Sequence, residues 1–276
     1  MCGLLLAGCS TVAMTGRKQL NLVSESDVLT ASLSSYQSYM KTAKVSTNAE
    51  QTAMMKGVAQ RIANAAERYL RENGQTADLQ TLQWEFNLTQ NKELNAFCMP
   101  GGKIVVYEGM MNLVGTDANA ADQLAAVIGH EVGHALAKHG QERMSQQVLT
   151  QMGSSVLGVA LSGKSQQKQQ LAALAYGAGA QYGALLPFSR KHELEADYMG
   201  LVLMTMAGYD PEASVTLWQK MGAATSARSE FSSTHPSSEH RIAELQKYIP
   251  KVKKQYGTAP AATKSKAKSS KGFRIG

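Results

Sequence analysis

The 276-residue chain predicts an α+β fold that is mainly α, a helical domain with a small antiparallel β-sheet. Helix formers dominate, aromatic residues make up only 6%, and six prolines are spread thinly. Several long stretches repeat their apolar residues at intervals of three and four, whereas only two short stretches look like strands. With 43% hydrophobic and 18% charged residues, the chain can bury a sizeable core without disulfide or metal staples.

The first strong element is "NAEQTAMMKGVAQRIANAAERYLRENG", where Asn48 stands three residues before Gln51 in a capping-box spacing and Gly74 supplies the stop. Met54, Met55, Val58, Ile62, Ala65, Ala66 and Tyr69 form its apolar face. Next, "TLQWEFNL" alternates, with Leu82, Trp84, Phe86 and Leu88 on one side, as a half-buried strand does. "NAFCMPGGKIVVYEGM" then reads as a short strand, a turn at Pro100-Gly101-Gly102 and a strand at 104–107, which make a small antiparallel sheet.

In "NAADQLAAVIGHEVGHALAKHG", Asn119 is the expected N-cap, Asp122 the third helical residue, and Gly140 the stop. From there to about residue 186 the chain is small, apolar and Gln-rich, consistent with helices. Its best membrane-spanning candidate, 148–161, is interrupted by Thr150, Gln151, Ser154 and Ser155 and falls short of the roughly 20 apolar residues needed. Further helices are predicted at about 190–207 with a stop at Gly208, from near Pro211, and after Pro236.

Residues 251–276 hold eight basic side chains and no acid, and removing those eight turns the net charge of +7 into −1. This Lys/Ala/Ser-rich stretch reads as a disordered, solvated tail. Nothing in the body points to nucleic acid. The division expected is 1–9 as a signal remnant, 10–250 as one domain, and 251–276 as tail.

Cys2, Cys9 and Cys98 form no Cys-x-x-Cys pair, which argues against a thiolate zinc site or a disulfide scaffold; Cys98 is expected to be a buried free thiol. "LLLAGCS" places an apolar run and small residues before Cys9, resembling the bacterial lipoprotein signal in which that cysteine is lipidated. Only eight residues without Lys or Arg precede it, which points to a start further upstream or to a fragment. A lipid on Cys9 anchors a protein to a membrane without spanning it. Ser10, where an aspartate is associated with inner-membrane retention, leans towards the outer membrane.

The chemistry centres on "GHEVGHALAKH". Four residues apart on a helix, His130 and His134 lie about 40° apart around the axis, so both rings can meet one metal ion. Glu131 is placed to take a proton from a metal-activated water, the arrangement of zinc hydrolysis. At this composition the pattern arises by accident in about one chain in a hundred. His139, about 140° from His134 if the helix continues, is expected to be structural or solvent-facing.

A third ligand must come from elsewhere, and "RKHELEAD" offers two pairs: Glu193 with Asp197, or His192 with Glu195. The first face continues through Ala196, Gly200, Leu203 and Ala207, whose small members admit another backbone; the second continues through Met199, Val202 and Met206. Periodicity leans to the first without deciding. His235 before Pro236 reads, by itself, as a turn histidine capping a helix.

"HEVGH" followed by "ELEAD" resembles the zincin-like zinc metallopeptidases related to HtpX, the Oma-type mitochondrial peptidase and the type I CAAX prenyl protease. More closely, the chain is similar to their periplasmic lipoprotein branch, typified by LoiP and the catalytic domain of BepA. The likeness covers most of 15–248, including "TGRKQLNLV", "NAFCMPGGKIVVYEGM" and "HPSSEHRI". It implies one Zn2+ held by His130, His134 and Glu193, Glu131 as base, and Asp197 orienting a ligand imidazole, which leaves His192 and Glu195 as flanking polarity.

By the same resemblance, His235 either stabilises the oxyanion or caps the zinc, with Arg241 as its partner, and the strand starting at Asn95-Ala96 takes peptide substrate along its edge. The implied function is an envelope zinc endopeptidase acting on misfolded proteins, lipid-anchored and facing the periplasm. A lipoprotein chaperone or assembly factor with a latent zinc site is the alternative, and a zinc hydrolase of a non-peptide bond a weaker third.

Overall fold

The computed structural model describes residues 9–148, 189–224, 235 and 239–257. A two-stranded hairpin, β1 (Cys9–Thr11) and β2 (Lys18–Leu20), opens the chain. Helix α1 (Glu25–Thr42) follows, capped by Ser24, whose hydroxyl accepts from the Asp27 amide. The expectations place no element there, because its Ser/Thr-rich sequence buries only Val28, Ala31, Ser32 and Tyr36.

Helix α2 (Ala49–Glu72) is capped as predicted, with Asn48 Oδ1 accepting from the Gln51 amide at 3.0 Å. The box is not reciprocal: the Asn48 backbone amide donates to Ser46 Oγ, and the Gln51 side chain donates through Nε2 to Asn112 Oδ1. Gly74, at φ 71°, ends it in the left-handed conformation that favours glycine. A short helix α3 (Thr76–Thr81) leads into β3 (Glu85–Thr89), where Trp84 and Phe86 stack on the core side.

Strands β4 (Ala96–Met99) and β5 (Lys103–Tyr107) form the predicted antiparallel hairpin. The sheet as a whole is mixed, however: β3 pairs with β5 in parallel, in the order β3-β5-β4. Central β5 is buried on both faces. Ile104 and Val106 join the main core, while Val105 and Tyr107 pack with Tyr36 of α1.

Helix α4 (Glu108–Val114) precedes α5 (Ala120–Leu136), whose N-cap Asn119 makes no side-chain cap bond. α5 also ends before Gly140: the terminator is Lys138, at φ 55°, held by Glu25 and Asp78. Gly140 instead lies within the next helix, α6, which runs from 139 to the limit of the described segment at 148.

Helix α7 (Arg190–Met206) is capped by Ser189 and stopped by Gly208 at φ 79°, as expected. α8 (Ala213–Ala224) and α9 (Glu239–Tyr256) follow. α9 runs through Pro250, and Val252 is buried, so the folded domain extends beyond the expected boundary at 250. The expected helices between 149 and 188, the 148–161 stretch apart from Val148, and the basic tail from 258 lie outside the described residues. Among those described, no helix is long and apolar enough to cross a membrane.

Candidate metal centre

The site is made where α5 and α7 touch backbone to backbone. A Cβ added at Gly200 would stand 2.9 Å from the His130 amide nitrogen, and one at Gly133 would stand 2.9 Å from the Ala196 carbonyl oxygen. Only hydrogen side chains fit at these crossings. This proximity sets the Glu193/Asp197 face of α7 against the His130/His134 face of α5.

His130, His134, Glu193 and His235 converge, each buried, with donor atoms within 4.8 Å of one another. His130 Nε2 is 3.1 Å from His134 Nε2 and 3.3 Å from His235 Nδ1. Glu193 Oε1 is 3.1 Å from His235 Nδ1 and 3.4 Å from His134 Nε2. Four donors set 2.0–2.1 Å from a tetrahedral zinc would be separated by about 3.3 Å, so the cluster has the dimensions of such an ion. Nitrogen and carboxylate donors also match its chemistry.

Charges around the cluster are arranged for it. Burial opposes ionisation of Glu193, but the surrounding His235, His130 and His134 outweigh it and hold the carboxyl well below its usual range. Burial also opposes a charged His130, yet hydrogen bonds with Asp197 and Glu193 prevail and raise its pKa to about 9. His134 is driven well below the histidine range, chiefly by burial.

Asp197 Oδ1 lies 2.9 Å from His130 Nδ1, which directs Nε2 into the cluster. Arg241, reaching in from α9, donates to both Asp197 oxygens at 2.7 Å and pairs with Glu193 Oε2 at 2.8 Å. Its guanidinium lies 3.8 Å over the Trp218 ring, a cation–π contact that sequence reasoning did not anticipate. Glu131 is buried and, among the described residues, its Oε1 accepts no hydrogen bond; His235 Nε2, at 3.6 Å, is its neighbour. Burial raises its pKa, which suits a base that must exchange protons near neutrality.

Ala96 begins β4 and Asn95 immediately precedes it; the strand packs beside α5 and, among the described residues, pairs only with β5. The Asn95 carbonyl accepts from Tyr107. Cys98 is a free thiol but only half-buried, packed against the main core. Cys9 is exposed at the start of β1.

Of the two alternatives for His139, structural or solvent-facing, the structure has the first: it is fully buried, between His134 Nδ1 at 2.8 Å and Glu195 Oε2 at 2.9 Å, and burial lowers its pKa to about 4. Two expectations need correction: His192 and Glu195 are not flanking polarity, being 3% and 0% exposed and bonded to Glu142 and to Thr15, Arg17 and His139 respectively. The available signal was the face that they share with Met199, Val202 and Met206. An apolar stripe is a buried stripe, and polar groups at its end must be paired.

A helix bearing His-Glu-x-x-His, packed against a second helix that supplies a glutamate, defines a zincin-like metallopeptidase. The sequence pattern of peptidase family M48 matches residues 58–249, and the chain belongs to that family. M48 peptidases use zinc. The chain is 38% identical over 174 residues to the mitochondrial metalloendopeptidase OMA1 of Schizosaccharomyces pombe, covering 62% of this chain and 48% of that one. To human OMA1 it is 28% identical over 258 residues, covering 90% and 46%. To the β-barrel assembly-enhancing protease of Escherichia coli it is 29% identical over 168 residues, covering 58% and 33%. The chain thus spans about half or less of these relatives.

Proposed function

We propose that this protein is a zinc-dependent endopeptidase of the bacterial cell envelope, hydrolysing misfolded envelope proteins. The observation that carries the reading is the buried His130/His134/Glu193/His235 cluster of zinc dimensions, with Glu131 Oε1, which no described residue bonds, beside it. His130, His134 and Glu193 hold the ion. When bound, zinc supplies a Lewis acid that polarises the scissile carbonyl and makes water nucleophilic near neutral pH.

Glu131 accepts the proton of the attacking water at Oε1 and returns it to the leaving amine. Asp197 and Arg241 keep His130 and Glu193 aimed. The edge of β4 from Asn95-Ala96, unpaired among the described residues, takes an extended peptide by main-chain hydrogen bonds, which demand little of its sequence. A lipid on Cys9 tethers the domain to the outer membrane; the "LLLAGCS" pattern and the relative named for β-barrel assembly support this placement.

His235 Nδ1 occupies the fourth corner of the cluster. Catalytic zinc sites keep one position open, whereas closed four-donor sites are structural. With zinc bound, His235 would hold that position and keep the site latent until substrate displaced it. That same corner favours the second reading, a chaperone or assembly factor whose zinc never opens.

Zinc content and casein cleavage decide between them, measured for the wild type, Glu131→Gln and His235→Ala. The endopeptidase reading expects Glu131→Gln to keep zinc and lose cleavage by several orders of magnitude. An unchanged rate in that variant would remove the mechanism, and a wild type that binds zinc yet cleaves no unfolded substrate favours the second reading. Fatty-acid labelling of cells expressing the full-length protein, lost in Cys9→Ala, tests the anchor.

A further inference from the structure

Both histidines on α5 lead back to a carboxylate of α7, by different routes. His130 reaches Asp197 directly, at 2.9 Å. His134 reaches Glu195 through His139, with links of 2.8 Å and 2.9 Å. We propose that His139 is a positioning residue which, with Glu195 and the amino-terminal Thr15 and Arg17, fixes the tautomer and orientation of His134 towards the metal. This rests on the reading of His134 as a zinc ligand.

The argument is one of donors and acceptors. A neutral imidazole has one protonated and one bare nitrogen. For Nε2 of His134 to offer its lone pair to the cluster, Nδ1 must carry the proton and donate to His139 Nδ1. His139 then carries its own proton on Nε2 and donates it to Glu195 Oε2. The carboxylate end therefore dictates both tautomers. His134, His139 and Glu195 are 4%, 0% and 0% exposed, so bulk water cannot stand in for a lost partner.

Glu195 is itself held from a distant part of the chain. The Thr15 hydroxyl donates to Oε1, and Arg17 Nε donates to Oε2 at 2.6 Å. The terminal nitrogens of Arg17 fork onto Glu142 at 2.9 and 2.7 Å, and Glu142 in turn meets His192 Nε2 at 3.1 Å. The His192 ring stacks on His139, with centroids 4.3 Å apart and planes at 23°, blocking rotation of the relay ring. Thr15 and Arg17 lie outside the residues matched to the family, 58–249, so the hairpin that precedes the peptidase core completes the support of its metal site.

Removing an outer partner of a ligating histidine typically lowers metal affinity by 10–100-fold. The test is zinc affinity of the full chain by chelator competition, with the visible spectrum of the cobalt-saturated protein, for the wild type, His134→Ala, His139→Phe, His139→Gln, Glu195→Gln and Arg17→Met. Expected are a 10–100-fold loss and a shifted cobalt spectrum in His139→Phe, partial recovery in His139→Gln, whose amide can both accept and donate, and a smaller loss in Arg17→Met.

A folded His139→Phe with wild-type affinity and an unshifted spectrum overturns the proposal. If that variant does not fold, Glu195→Gln decides by the same two readouts. An affinity loss without any cobalt shift at saturation also overturns it, because loosened folding alone leaves the ligand geometry of the saturated protein unchanged. Wild-type affinity in His134→Ala would instead overturn the ligand assignment itself, whatever His139 does.

Discussion

The Nε2 atoms of His130 and His134 face each other across 3.1 Å, with Glu193 Oε1 3.4 Å from the second. Such convergence of buried lone pairs calls for a cation between them. Zinc is accordingly expected to bind at one per chain and to stabilise the fold. With free zinc about a thousandfold above its Kd the gain is about 4 kcal/mol, a rise in Tm on the order of 10 °C. Thermal unfolding in buffered zinc and after chelation checks this, and a Tm indifferent to chelation would contradict it.

Gly200→Ala should separate the two helices of the site. Its Cβ would meet the His130 backbone nitrogen at 2.9 Å, and backbone cannot swing aside as a side chain can. Overpacking of this kind costs about 1–3 kcal/mol. Chemical denaturation should register that loss together with weakened zinc binding, whereas Gly57→Ala on α2, where an added Cβ meets nothing within 4 Å, should be neutral or stabilising.

Arg241→Met should destabilise far more than its single charge suggests. It would leave Asp197 and Glu193, both buried, without the cation that each now contacts at 2.7–2.8 Å. Breaking a buried pair in this way costs about 3–5 kcal/mol. Arg241→Lys should recover only part, since an ammonium cannot fork onto Asp197 while reaching Glu193. Denaturant midpoints of the two variants give the comparison.

Acid should undo the docking of the amino-terminal hairpin. Burial works against ionisation of Glu142, but hydrogen bonds from His192 and Arg17 outweigh it and lower its pKa from the ordinary 4.5 to about 2. With the folded value below the unfolded one, the stabilisation is complete above about pH 4.5 and is lost as pH falls towards 2. Glu142→Gln should therefore be less stable at neutral pH and show a flatter stability profile between those limits. An acid limb as steep as that of the wild type would show that other carboxylates carry it.

Much of the fold was legible because its signals are local. The Asn48 cap, the Gly74 and Gly208 stops and the Pro100-Gly101-Gly102 turn are each decided within a few residues, and each stands where expected. Helix α1 was not legible, since its Ser/Thr-rich surface carries too thin an apolar stripe to announce a helix. The wheel argument for His139 rests on a premise that does not hold. The helix stops at Leu136, and the left-handed Lys138 turns His139 back beneath His134, where its burial follows.

By itself the sequence determined the pieces whose geometry is set by helical spacing: His130 and His134 on one face with Glu131 beside them, and on a second helix two candidate pairs, Glu193 with Asp197 and His192 with Glu195, between which spacing leaned to the first without choosing. The tertiary structure decided what depends on residues far apart in the chain. His235 stands at the fourth corner 105 residues from His130, Arg241 grips Asp197 44 residues away, and Arg17 reaches Glu195 across 178. The parallel pairing of β3 with β5 belongs to the same class. Periodicity constrains only neighbours within a turn or two; which buried charge meets which is settled by packing, where each must find a partner because water is excluded.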